Sequence, residues 1–273
     1  MDQVAQQDVR GALPEGLGRA IRATADDIAV VLGVARDPGL AVPGSTWTLG
    51  EAAAHLALAN ALMADLAEGR ERPYGDGTPQ SLAAANAESL AAFEERRPGP
   101  LATMISEQAG RCADALHAAA DGPAPVTPLG PMNRSVLGSY LLTHMLGHGY
   151  DIARALGLPD MLAPDRVTWC LPFLRSAMPI VADGAAVAGL TARYSVRLRG
   201  GGAFGVTVGD GAVRVTAEPP ARPDCTIIVE PVAFLLIALG RRNPWAAMAK
   251  GQVLAHGRRP WLAPRFPALF VAP

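Results

Sequence analysis

Three of the five histidines in this sequence occupy positions from which their side chains can reach a common point. His144 and His148 are four residues apart in a segment with helical periodicity, so both imidazoles lie on one face, one turn apart. That face is otherwise apolar, which directs both rings toward a helical core. His55 occupies the matching inward face of an earlier helix, between Ala52 and Leu56.

A divalent metal ion is the ligand that this arrangement favours. Buried neutral imidazoles need partners, and the side chains around them are mostly leucine and alanine. One ion bound by His55, His144 and His148 would satisfy all three rings, and three protein ligands with an open fourth position are typical of catalytic zinc. Imidazole also binds nickel, iron and copper, so we expect zinc first, with nickel or iron as alternatives. Asp151 follows His148 by three residues and is placed to orient a ligand ring.

Each histidine could instead be an ordinary core residue, because a lone histidine on an apolar face is usually satisfied without a metal. His117 and His256 have no partners in this pattern, and we interpret both as structural. Glu51 precedes His55 by four residues, which is ligand spacing on a helix. With Thr48, however, it forms a T-x-x-E capping box, and that role explains it better.

Other motifs of catalytic or nucleotide-binding sites are absent or poorly placed. No G-x-S-x-G and no P-loop occur. The three cysteines are far apart, odd in number and without a C-x-x-C pair, which fits buried thiols better than a disulfide framework: Cys112, Cys170 and Cys225. A G-x-G-x-x-G match begins at Gly200. A strand-like run follows it, where a dinucleotide site requires a helix, so we interpret the match as a glycine-rich turn.

The elements that must position the histidines are long amphipathic helices. Apolar residues recur at steps of three and four in four segments joined by short loops, which predicts a four-helix bundle: 14–36, 48–66, 81–120 with a break at 97–100, and 133–157. After Pro159 a helix over 165–181 is expected, and then short strands and helices alternate, which predicts a small α+β domain. We expect two domains, 1–160 and 161–273.

Composition excludes several classes of protein. Half of the 273 residues are hydrophobic and 18% are charged, which excludes intrinsic disorder. The net charge of −1 disfavours nucleic-acid binding. No signal-peptide pattern opens the sequence and no apolar run is long enough to cross a bilayer, so we expect a cytoplasmic protein without a membrane partner. A single lysine, Lys250, among many arginines is typical of a GC-rich genome.

Two segments of the first half resemble a known family. The resemblance to the mycothiol-dependent maleylpyruvate isomerases, relatives of the DinB-like metal-binding bundles, lies in residues 47–57 (WTLGEAAAHLA) and 144–157 (HMLGHGYDIARALG). Three stretches of the second half are similar to the sterol-carrier-like domain often attached to that bundle: 209–211, 224–229 and 251–257. The resemblance implies an N-terminal DinB-like four-helix bundle followed by a sterol-carrier-like α+β domain.

The resemblance places His55 and His148 on metal-ligand positions, whereas His144 falls where the isomerases carry glutamate. An imidazole in place of a carboxylate raises the net charge of the site by one, which should make the ion a stronger Lewis acid. The family also implies mycothiol, a thiol of high-GC actinobacteria, as co-substrate. Its thiolate would add to a small electrophile, giving either cis–trans isomerisation or thiol transfer, and the sequence does not choose between them.

Three arginines are candidates for binding acidic groups of the substrate or thiol, although each could equally be a surface residue: Arg72, Arg258 and Arg259. Two other classes of function stay open. One is a metal-dependent hydrolase or biosynthetic enzyme that uses water and no thiol, and the other is a non-catalytic carrier of an apolar ligand. We expect a small thiol and a small electrophile as partners, in a monomer or a homodimer.

Overall fold

The structure, a computed structural model, describes residues 13–76, 78–118 and 124–271. The chain divides between Leu162 and Ala163 into two compact units. We call the first the helical unit and the second the sheet unit. The helical first half and the mixed α+β second half that the sequence predicts are confirmed.

Four long helices build the helical unit, with a shorter helix and a two-residue hairpin in the connections. In chain order the elements are α1 (Glu15–Gly33), α2 (Leu49–Ala67), the short α3 (Pro79–Ala91), α4 (Pro98–Ala118), β1 (Val126–Thr127), β2 (Gly130–Pro131) and α5 (Arg134–Ala155). Both α1 and α2 pack against α4 and against α5. This closed arrangement is a four-helix bundle.

The bundle is held together by the apolar stripes that the sequence shows. On α1, Leu17, Ile21 and Ile28 are fully buried, and Ile105 and Leu137 meet them from α4 and α5. Each buried leucine or isoleucine contributes about 1.5–3 kcal/mol through the apolar surface it removes from water. The α2–α5 packing that carries all three histidines is therefore part of the core of the unit.

The start of α2 is fixed by the predicted capping box. Thr48 Oγ1 accepts a hydrogen bond from the Glu51 backbone N–H at 3.3 Å, and Glu51 Oε2 accepts one from the Thr48 N–H at 2.8 Å. The hydrogen bond from the Thr48 backbone lowers the pKa of Glu51. Because this cap sets the first turn of α2, it also sets the face on which His55 lies, two turns further on.

The sheet unit packs short helices against a five-stranded sheet. Its elements are α6 (Pro164–Thr168), α7 (Leu171–Ala177), α8 (Gly184–Val187), β3 (Ala192–Leu198), β4 (Ala203–Gly209), β5 (Ala212–Thr216), β6 (Cys225–Val229), α9 (Pro231–Ala238), α10 (Pro244–Ala249), β7 (Val253–His256) and the 3-10 helices η1 (Pro260–Arg265) and η2 (Pro267–Leu269). The strand order is β5-β4-β3-β6-β7. All neighbours are antiparallel except β3 and β6, which are parallel.

The two faces of the sheet differ in character. One face carries fully buried Tyr194, whose ring centroid lies 4.9 Å from that of Phe266, and Phe204, which meets Phe234 of α9 at 6.0 Å. The other face is crossed by the connection from β5 to β6. That connection lies so close to β4 that a Cβ on Gly205 would be 2.7 Å from the Glu218 carbonyl oxygen.

Three sequence expectations differ from the structure, and each difference has a proline at its centre. The helix expected over 165–181 is two short helices, because Pro172 has no N–H to donate to the Thr168 carbonyl and is accommodated in the first turn of the second helix. The long third helix is α3 and α4, separated by residues 92–97, and Pro98 opens α4 instead of ending a helix. The last helix is 3-10, with Pro264 inside it.

The predicted hairpin between β4 and β5 is confirmed. Asp210 and Gly211 have φ values of 52° and 70°, the left-handed pair that a two-residue type I′ turn requires. Among the helices of the described residues, none combines the length and apolar character needed to cross a membrane.

Candidate metal centre

The structure brings His55, His144 and His148 together at the contact between α2 and α5. One nitrogen from each ring can be chosen so that all three lie within 4.8 Å of one another. The shortest pair is His55 Nε2 and His144 Nε2, at 3.1 Å. The three ring centroids are 4.5–5.0 Å apart.

These distances fit a single divalent ion. With zinc–nitrogen bonds of about 2.0–2.1 Å in tetrahedral geometry, donor nitrogens lie about 3.3 Å apart. The 3.1 Å pair is already near that separation, and the remaining separations, up to 4.8 Å, are short enough for small ring rotations to close. Without an ion, one ring of the His55–His144 pair must donate a proton that the other accepts. The donor set is all imidazole, which suits zinc, nickel and iron.

Burial controls the protonation of the innermost histidine. His55 is only 5% exposed, whereas His144 and His148 are half-buried. Desolvation lowers the pKa of His55 to about 4. The ring is therefore neutral at physiological pH, and a nitrogen lone pair is available for a metal without first losing a proton.

Two aromatic side chains stand beside the three histidines. The ring centroid of Trp47 lies 4.8 Å from that of His55 and 6.0 Å from that of His148. Tyr140 meets His144 edge-on at 6.4 Å. The position of Trp47 before the capping box predicts only a packing role for it, as a hydrophobic staple, and no motif in the sequence singles out Tyr140. The available signals were the position of Trp47 directly before the helix cap and the four-residue spacing of Tyr140 from His144.

Asp151 lies beside His148, as its spacing indicated. Its Oδ2 is 3.7 Å from His148 Nδ1, and both side chains are about 15% exposed. At that distance the carboxylate orients the ring electrostatically, without a short hydrogen bond. With Nδ1 directed toward Asp151, Nε2 is the nitrogen of His148 that would face an ion.

The three candidate arginines are held by other partners. Arg72 donates to Asp65 Oδ2 at 2.8 Å, and Asp65 is ten residues beyond His55, about 15 Å along α2. In the sheet unit, the guanidinium of Arg258 faces the Asp224 carboxylate at 3.8 Å, and Arg259 donates to the Thr191 carbonyl at 2.8 Å. The structure does not bring Arg72 to the histidines.

The protein's own thiols are poorly suited to act as nucleophiles. All three cysteines are buried and reduced. Burial raises the pKa of Cys112 to about 12 and that of Cys225 to about 11. Both thiols therefore remain protonated at neutral pH, and neither of the two supplies a thiolate nucleophile.

The low pKa of His55 predicts that the metal-free protein loses stability in mild acid. The unfolded chain binds a proton at His55 near pH 6.5 and the folded chain only near pH 4, so the free energy of unfolding rises with pH between these values. The pKa shift of His55 contributes about 3 kcal/mol to the free energy of unfolding. This contribution is fully present above pH 6.5 and is lost as the pH falls to 4. Urea unfolding of metal-free protein at several pH values measures it. His55→Gln should flatten the profile, and exposed His117→Gln should not.

Comparisons with known proteins bear on both halves of the chain. Residues 177–258 match the SCP-2 sterol transfer family. This match confirms the sterol-carrier-like assignment of the second half. A comparison with the curated proteins found no match.

Among solved structures, a mycothiol-dependent maleylpyruvate isomerase matches with 15% identity and a TM-score of 0.49, over 89% of this chain and 93% of that one. The ubiquinone synthesis protein UbiJ-SCP2 matches at 17% identity and a TM-score of 0.29, over 38% of this chain and 90% of that one. The sec-alkylsulfatase Pisa1 from Pseudomonas sp. matches at 14% identity and a TM-score of 0.32. This match covers 51% of this chain and 25% of the sulfatase. The matches therefore include a mycothiol-dependent maleylpyruvate isomerase and a protein with an SCP2 domain, the two types that the sequence resembles.

Proposed function

We propose that this chain is a metal-dependent enzyme that uses a low-molecular-weight thiol of the mycothiol type as nucleophile toward a small electrophile, in thiol transfer or cis–trans isomerisation. The observation that carries the proposal is the meeting of His55, His144 and His148 at one point, from helices far apart in sequence. Leucine would fill this part of the core without the solvation free energy that is lost when an imidazole is buried, so packing alone does not explain the three histidines.

His55, His144 and His148 would hold the ion, and three protein donors leave room for one further ligand. When bound, a divalent ion supplies Lewis acidity that lowers the pKa of a thiol or water molecule beside it. The chain's residues do the rest. His55 stays neutral because it is buried, Asp151 holds the ring of His148, and Trp47 shields two of the rings from water.

The thiol is proposed for two reasons. The motifs at 47–57, on α2, and at 144–157, on α5, resemble those of enzymes that use mycothiol. In addition, the thiols of Cys112 and Cys225 have pKa values raised by burial, so the chain lacks a ready thiolate at these two positions. The choice between isomerisation and transfer depends on whether the thiol leaves or stays after addition, which the histidines do not decide.

Calorimetric titration of the zinc-loaded protein with mycothiol tests the proposal. We expect the thiol to bind at least about tenfold more tightly than its analogue with serine in place of cysteine, because only the thiol is deprotonated beside the ion. Binding should release about one proton per thiol, seen as a dependence of the heat on the buffer's ionisation enthalpy. Equal affinity for both compounds, without proton release, would exclude the thiol as co-substrate and would favour a metal-dependent enzyme that activates water.

The family match of residues 177–258 supports a second candidate, a carrier of an apolar ligand in the sheet unit. The two candidates differ in what the histidines are for. A carrier needs no ion at the helical unit, so purified protein that contains no divalent metal and gains none on titration would favour the carrier.

A further inference from the structure

The charges of this protein are distributed very unevenly. The chain as a whole has a net charge of −1, yet residues 163–273 contain thirteen basic and six acidic side chains. The imbalance is greatest at the end of the sequence, where residues 231–273 contain no aspartate or glutamate. Six basic residues fall in that stretch: Arg241, Arg242, Lys250, Arg258, Arg259 and Arg265.

The fold places the middle of this stretch, residues 244–265, at one edge of the sheet. β7 is an edge strand of the sheet, next to β6. Both α10, which precedes β7, and η1, which follows it, pack against that strand. We call the surface formed by α10, β7 and η1 the basic edge.

The basic edge also exposes large apolar side chains. Trp245 on α10 is 62% exposed, Leu254 on β7 is 49% exposed and Trp261 on η1 is 60% exposed. Each belongs to a different one of the three elements, so the apolar groups are spread along the edge. Exposed indoles are costly in water, and they are enriched where a protein meets the interface of a lipid bilayer.

The positive charges along this edge are poorly compensated within the described residues. Arg242 donates to the Gln252 side-chain oxygen and Arg259 to the Thr191 carbonyl, and both acceptors are neutral. Lys250 and Arg265 are exposed, and no carboxylate pairs with either in the described part of the chain. Arg258 faces a carboxylate, that of Asp224, at 3.8 Å.

We propose that the basic edge docks the protein peripherally on an anionic lipid bilayer. Lysine and arginine near such a surface are attracted by the lipid phosphates and carboxylates, and tryptophan and leucine enter the headgroup region. Single-stranded nucleic acids are bound by positively charged grooves and by aromatic side chains that stack on bases. An exposed aliphatic side chain such as Leu254 does neither, whereas it can enter the headgroup region of a bilayer, so it favours the bilayer. The inference departs from the expectation of no membrane partner, which rested on the lack of a spanning segment.

Flotation of the full chain with vesicles tests this docking. We expect binding to vesicles that contain phosphatidylglycerol, little binding to pure phosphatidylcholine, and release at high salt. Arg265→Glu should weaken binding about tenfold. The matched control is Arg214→Glu, the same change at an exposed arginine on β5, at the opposite edge of the sheet. It should change binding less than about twofold, since its distance from the docked surface exceeds the screening length.

The tryptophans supply a second, independent readout. The double variant Trp245→Ser with Trp261→Ser should also bind more weakly while keeping its dependence on salt, because the charges remain. Equal binding to neutral and anionic vesicles would overturn the proposal, as would an equal loss in Arg265→Glu and Arg214→Glu. Tighter binding to single-stranded DNA than to anionic vesicles would assign the surface to nucleic acid instead. None of these outcomes depends on the metal or the thiol.

Discussion

Replacing His148 by alanine should remove the metal from this protein. We expect purified wild-type protein to contain about one divalent ion per chain and His148→Ala to contain almost none after dialysis. Two imidazoles that remain, His55 and His144, hold an ion far less tightly than three, and the loss amounts to several kcal/mol of binding free energy. Elemental analysis and competition with a chromophoric chelator measure both quantities.

The matched control is His117→Ala. His117 is exposed in the last turn of α4, apart from the three histidines, so the same chemical change should leave the metal content unchanged. Circular dichroism of His148→Ala should show an intact helical unit, because His148 is half-buried and the leucine core around it remains. A His148→Ala protein that folds and retains its metal would defeat the assignment of this ligand.

Adding a single methyl group at Gly205 should destabilise the sheet unit by about 3 kcal/mol. A Cβ at this position would lie 2.5 Å from Thr216 Oγ1, 2.7 Å from the Glu218 carbonyl oxygen and 3.0 Å from Pro220 Cδ. The Thr216 hydroxyl donates to the Glu218 carbonyl at 2.7 Å, so it could turn away only by giving up that hydrogen bond, and the Glu218 backbone has no side-chain rotation by which to move aside. Gly205→Ala must therefore push the connection away from the sheet.

Gly209→Ala is the matched control on the same strand. A Cβ at Gly209 meets no atom within 4 Å, and its φ lies outside the left-handed region. We expect a neutral or slightly stabilising effect, up to about 0.5 kcal/mol, from the reduced freedom of the unfolded chain. Hydrogen exchange of the sheet amides, with and without urea, measures both variants. Equal protection in the two would show that the close approach at Gly205 is not a constraint.

Helical periodicity and residue spacing were enough to predict the bundle and the group of three histidines. The step of four from His144 to His148 dictates one face, and the Thr48–Glu51 cap sets the face of His55. These are local rules, and they hold because about 3.6 residues per turn fix which side chains of a helix share a face. The strands of the sheet unit were predictable from alternation and glycine turns for the same reason.

What the sequence could not provide depends on contacts between distant segments. The position of Trp47 against His55 and His148 depends on how the loop before α2 packs, not on any periodic pattern. The approach of Glu218 to Gly205 depends on the path of an irregular connection across the sheet. The effect of a proline also depends on its position in a helix, and Pro98 opens α4 where the sequence predicts a break.

The metal donors come from only two helices, and His55 and His144 are 89 positions apart in the chain. An ion shared between them would act as a reversible cross-link that closes a long loop, and such links restrict the unfolded chain more than the folded one. The ion would then stabilise the folded helical unit, and the lifetime of the protein in a cell would depend on the concentration of that metal. A shortage would act on how much of the protein persists as well as on how fast it works.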